Sequence, residues 1–177
     1  TVAYAKGKKS YDYANINYTL FRIIIPYLAY PKQMKVLPAN DQILNATTIS
    51  LYVTYMKQNI FIPAGVPNAD VKIYGAYALY YQFDEFQEDG MDTKGKKPEK
   101  SGGPISGAGG WYMSAEEHAR VLSAFDNGVL VPMSVVNQIK NEKLGFRTRS
   151  GNYGSYHCHG GFVGSGGTTI SMNYPIN

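Results

Sequence analysis

The stretch LGFRTRSGNYGSYHCHGGFVGSGGTTISMNYP, Leu144 to Pro175, decides the fold class. Glycines recur between short runs rich in Thr, Ser, Tyr and Val, the pattern of strands joined by tight turns. It reads as two or three strands with glycine-rich turns. Immediately upstream the pattern is helical. Ser114 caps SAEEHARVLSAF with Glu117 at the capping-box position, and Asn127-Gly128 ends that helix. Val129 to Pro132 then leads into a short helix, PMSVVNQIKNE.

The same reading extends to the first residues. In YDYANINYTLFRIIIPYL, Tyr11 to Leu28, the residues Ile16, Leu20, Ile23, Ile24 and Leu28 lie close to a 3.6-residue stripe. A helix is predicted from Asn15 to Leu28, kinked or ended by Pro26. Pro31 to Asn45 reads as a loop. Thr47 or Thr48 is the expected cap of ISLYVTYMKQNIF, which stops at Pro63 and Gly65. Val71 to Phe83 has period-two character and reads as one or two strands, and Glu85 to Pro104 as a long polar connection. Helices first and strands last give an α+β class. The expected division is a helical part over about 14–66 and a sheet and glycine-rich part over about 71–177 of one domain.

Composition narrows the function. The chain has 177 residues, enough for one domain with a real core or a large piece of a bigger one. A hydrophobic share of 44% with 17% charged residues is that of a globular protein, and the 16 tyrosines and 19 glycines suit many turns and an aromatic cleft. The net charge of +4 is mild. The densest basic run, TKGKKPEK from Thr93 to Lys100, has no interleaved aromatics and reads as a solvated loop, not a nucleic-acid platform. The longest apolar run is broken by Arg22 and Pro26, so no membrane span is predicted. One cysteine, Cys158, excludes an internal disulfide framework.

Several isolated features invite chemistry. His157 and His159 alternate on one strand face while Cys158 points to the other. That is at most half a zinc site, since the only other histidine, His118, lies on a predicted helix. Cys158 fits a small buried hydrophobe better than a catalytic thiol. Thr1 as an N-terminal nucleophile lacks the strand pattern such enzymes need. The clusters Gly107 to Gly110 and Gly164 to Gly167 have no Lys-Ser/Thr ending and read as turns, not phosphate loops. Trp111 and Tyr112 either line a cleft or belong to the core.

Taken in order, three stretches carry a resemblance. YDYANINYTLF contains Tyr13-x-Asn15; SGAGGWYMSAEEHARVLSAFDNGVLVP spans Ser106 to Pro132; YHCHGGFVGSGG spans Tyr156 to Gly167. Together they resemble the serine β-lactamase and penicillin-binding-protein superfamily, in particular the class C β-lactamase-related esterases and peptidases. YMKQNIFIPAGVPNADV is a weaker match to the helix exit of the same group. The resemblance implies a β-lactamase/transpeptidase-like fold, a mainly antiparallel sheet flanked by helices. It also implies acyl transfer through a serine ester on an ester, amide, peptide or β-lactam.

By that resemblance Tyr13 is the phenolic base or proton shuttle, a role that needs nearby cations because a phenol ordinarily titrates near 10. Asn15 hydrogen-bonds the nucleophile's lysine and the substrate amide. His159 stands where the family often has lysine. Gly160 and Gly161 leave room for substrate along the strand edge, and the Phe162 N–H lines the oxyanion hole. His-Gly-Gly in place of Lys-Thr-Gly favours an esterase or peptidase relative. No metal and no organic cofactor is implied.

The family's Ser-x-x-Lys nucleophile motif is absent: no serine in these 177 residues has lysine three positions on. Thr54-x-x-Lys57 and Thr93-x-x-Lys96 have the spacing with threonine, but neither stands where the family keeps its nucleophile. The expectation is therefore the C-terminal portion of the domain, a fragment of a whole enzyme or one half of a split protein. Such a chain is inactive until an N-terminal segment or partner chain supplies the nucleophile. The implied location is periplasmic or secreted. The alternative is a non-catalytic pseudoenzyme that binds a peptide or glycan in the same cleft.

Overall fold

The computed structural model describes residues 14–75, 77, 102–152, 154–163 and 167–173. The fold is α+β. Six α-helices are seen among these residues: α1 (Asn15–Thr19), α2 (Phe21–Ala29), α3 (Pro31–Lys35), α4 (Asp41–Met56), α5 (Ala115–Asp126) and α6 (Met133–Asn141). Three strands follow, β1 (Arg147–Gly151), β2 (Gly154–Val163) and β3 (Gly167–Asn173), in one antiparallel sheet of order β1-β2-β3. No helix among the described residues is long and apolar enough to cross a membrane.

The predicted helix at the start forms as two pieces that meet at Leu20. Pro26 does not end it. α2 runs on to Ala29 with Pro26 buried inside it, where its ring has no N–H to give the Arg22 carbonyl. The stretch read as a loop from Pro31 is instead largely helical. The side-chain oxygen of Asn40 accepts from the Gln42 and Ile43 amides, both at 3.0 Å, and so starts α4 seven residues before Thr48. Thr48 then sits mid-helix, 1% exposed, with its hydroxyl donated back to the Asn45 carbonyl at 3.1 Å. α2 packs along α4.

α4 widens at its end into a π-turn, Lys57–Phe61, with the Ile62 amide on the Lys57 carbonyl at 2.9 Å. Pro63 cannot continue the ladder. The turn delivers Phe61 to a core shared with Val66 and Ala69, against which Met56, Ile60, Trp111, Met113 and Val121 pack. Of the expected strand over Val71 to Phe83, the described residues 71–75 contain one bridge position, Lys72, and just before them Asp70 forms an isolated bridge with Tyr112. The rest of that stretch lies outside the described residues.

α5 is bounded as its sequence implies. The Glu117 amide donates to Ser114 Oγ at 3.1 Å while Glu117 Oε2 accepts from the Ser114 amide at 2.7 Å. At the other end Gly128 takes φ +70, with the Val129 amide on the Ala124 carbonyl and the Gly128 amide on the Phe125 carbonyl, the paired bonds of a Schellman stop. An ion pair from Lys140 to Asp126, 2.9 Å and mostly shielded, ties α6 to α5.

Candidate functional site

The loop from Gly102 to Gly110 closes on itself. A Cβ at Gly102 would lie 1.9 Å from the Gly110 carbonyl oxygen, a separation only a bare Cα permits. The loop then presses against the end of α1. A Cβ at Gly107 would come within 2.3 Å of the Tyr18 carbonyl oxygen and 2.9 Å of that of Thr19. Trp111 anchors the loop from below. Its Nε1 donates to the Ser106 carbonyl at 2.8 Å, and its ring lies 4.7 Å from Phe61 and 6.3 Å from Tyr52. Trp111 therefore packs against the core. Tyr112 is half-buried and holds Asp70 through paired backbone bonds of 2.8 and 3.4 Å.

The side chain of Tyr18 faces the sheet. Its ring centroid is 6.5 Å from that of His159, edge-on at 74°, an arrangement aromatic quadrupoles favour. Three stretches far apart in sequence thus meet at one residue. The loop touches the Tyr18 backbone, β2 touches its ring, and Asn15 lies one helical turn before it. Asn15 is exposed on the first turn of α1; it is not the cap, a position held by Ala14 without a side-chain bond. Tyr13 lies outside the described residues.

The strand register leaves an opening beside His159. β1 pairs with β2 only as far as Arg147↔Cys158. From His159↔Ser171 to Val163↔Gly167 β2 pairs with β3 on one side, and no described strand covers the other. Gly160 and Gly161 are exposed on that open edge, and a Cβ built on Gly160 would meet nothing within 4 Å. The backbone of Phe162 belongs to the same run. An extended chain could add to this edge through main-chain hydrogen bonds.

Other candidates have structural partners. Cys158 is 4% exposed, on the face opposite the histidines. His157 lies with its ring 6.5 Å from that of Phe146, tilted by 58°, and its Nδ1 is buried without a hydrogen-bond partner. Among the described residues no three His, Cys, Asp or Glu side chains gather as metal ligands. Thr54 donates to the Ser50 carbonyl at 2.9 Å and Lys57 is ion-paired with Asp70, so this Thr-x-x-Lys spacing is spent on structure. Thr93 and Lys96 lie outside the described residues.

Tyr18 is the residue the motif reading missed. Its spacing carried a signal: a position three after Asn15 shares its helix face. No family model, curated protein or solved structure matches the chain.

Proposed function

We propose that this chain is part of a serine hydrolase of the β-lactamase-like type, acting by acyl transfer on an ester, amide, peptide or β-lactam. The observation that carries the proposal is the meeting of the Asn15–Tyr18 turn, the Gly102–Gly110 loop and His159 beside a strand edge that no described strand covers. Those are the three stretches on which the family resemblance rests, and neighbouring positions in space are what a shared cleft requires.

The chemistry assigns each part a task. An extended acyl substrate lies along the open edge of β2 past Gly160 and Gly161. A serine hydroxyl attacks its carbonyl carbon, and the serine proton passes to the base formed by Tyr13 and the lysine of Ser-x-x-Lys. The Phe162 N–H faces the developing oxyanion. The leaving group departs with that proton, and water then cleaves the serine ester by the same steps in reverse order. Asn15 orients the lysine and the substrate amide, and His159 donates to substrate or to the phenol oxygen. Tyr18 touches none of the reacting atoms; it positions His159.

The nucleophile comes from a segment outside these 177 residues. An apolar stripe suits its docking. Ile16, Leu20, Ile24 and Leu28 recur every fourth residue beside Asn15, and they are 41% to 76% exposed, a face that a neighbouring helix would bury. The whole enzyme works in the periplasm or outside the cell. The rival reading is a pseudoenzyme that binds a peptide or glycan at the same edge, and a complete protein that lacks Ser-x-x-Lys would support it.

The test uses the protein that includes the upstream coding region, treated with a fluorophosphonate and with a penicillin and read by intact mass. A serine adduct is expected, formed about 100-fold more slowly in Asn15→Ala and His159→Ala. A complete protein that takes up neither reagent leaves the binding reading in place of the hydrolase.

A further inference from the structure

Nε of Arg22 and Oγ of Ser106 are both buried without a hydrogen-bond partner. Ser106 is 1% exposed. The two residues share their surroundings. Arg22 reaches the Thr48 hydroxyl on α4 at 3.4 Å. One turn further along α4, Tyr52 lies beside Trp111, which holds the Ser106 carbonyl. From the other side Gly107, next to Ser106, rests on the carbonyls of Tyr18 and Thr19, one turn before Arg22. A long side chain on a helix lies over the turn preceding its own Cα. Arg22 therefore runs toward the point where the loop docks.

No carboxylate pairs with Arg22 among the described residues. The Thr48 hydroxyl hydrogen is directed at the Asn45 carbonyl at 3.1 Å, so that oxygen can accept from Arg22 but brings no negative charge. A guanidinium drawn partly out of water, with a buried N–H unused, lacks an acceptor. The nearby Ser106 hydroxyl can donate to the same acceptor, and a neutral water there would leave the positive charge unbalanced.

We propose that Arg22 and Ser106 bind a small anion, of halide or carboxylate size, where α2, α4 and the Gly102–Gly110 loop meet. The anion accepts from Arg22 Nε–H and from Ser106 Oγ–H. It thereby ties the loop to α2, the helix that follows Tyr18. The proposal is independent of the hydrolase reading, since neither residue belongs to the cleft chemistry.

Thermal unfolding is measured against chloride at constant ionic strength, balanced with a bulky organic anion. The native chain is expected to show a saturating rise in Tm, about 3–5 °C at ten times Kd. In Arg22→Gln the rise is lost, and in Ser106→Ala it is reduced. Identical salt responses in all three proteins overturn the proposal. Chlorine-35 NMR line widths give a second readout that does not depend on Arg22→Gln folding. Excess broadening by the native chain, displaced by bromide and weaker in Ser106→Ala, supports the site. No excess broadening overturns it.

Discussion

Replacing Gly107 by alanine isolates the contact that seats the loop on α1. The new methyl carbon would lie 2.3 Å from the Tyr18 carbonyl oxygen and 2.9 Å from the Thr19 carbonyl oxygen. Both obstacles are backbone, so no side chain can swing aside. Gly107 is not among the glycines with positive φ, so alanine suffers no intrinsic backbone penalty and restricts the unfolded chain, a gain of about 0.4–1 kcal/mol. Overpacking against fixed neighbours costs about 1–3 kcal/mol or more. The clash outweighs the entropy, and the expected net loss is about 2 kcal/mol, a fall in Tm of about 4–8 °C. Gly109 is the internal control: it stands in the same loop, without positive φ, and its added Cβ would meet nothing within 4 Å. Gly109→Ala should be neutral or slightly stabilising. Urea unfolding followed by fluorescence suits the comparison, because Trp111 is the only tryptophan and is hydrogen-bonded to the loop. Equal stabilities of Gly107→Ala and Gly109→Ala would refute the docking of this loop on α1.

Ser114→Ala removes one arm of the capping box on α5 and should cost about 1 kcal/mol, with Ser114→Gly losing only a few tenths, as read by urea unfolding. Burial, reinforced by neighbouring Tyr55, pushes the Tyr52 phenol up to about 12 from its ordinary value of 10.0. Its folded pKa is the higher one, so its contribution is complete below pH 10 and is lost as pH rises toward 12, when only the unfolded state gives up the proton. The loss reaches about 2 kcal/mol, and an alkaline stability series should find it absent in Tyr52→Phe. Lys57→Met strands the mostly shielded Asp70 carboxylate and should destabilise by about 1–2 kcal/mol. In the complete protein, Thr54→Val should leave serine acylation unchanged, because Thr54 is bonded within its own helix.

Local chemistry made part of this structure legible before any coordinates. The capping box at Ser114 and Glu117, the stop at Asn127-Gly128, the short helix after Pro132 and the terminal strands all follow from neighbours within a few residues, and all are present. The start of α4 was misjudged for the same kind of reason. Two threonines sat before an apolar run and drew the cap, whereas Asn40 makes two amide bonds where it stands. Pro26 promises a break, yet α2 continues through it, with Pro26 buried and the helix packed along α4. Periodicity alone suggests strand over 71–75, where the described backbone forms a single bridge position at Lys72 and no continuous ladder.

The order of helices and strands, the turn positions and the capping residues belong to the sequence by itself, since each depends on backbone preferences and hydrogen bonds between near neighbours. Tertiary structure alone decided that Tyr18 meets His159 and that Gly107 rests on α1. Those contacts join residues scores of positions apart. They depend on which surfaces the packed helices leave for the loop and sheet, and no spacing along the chain records that choice.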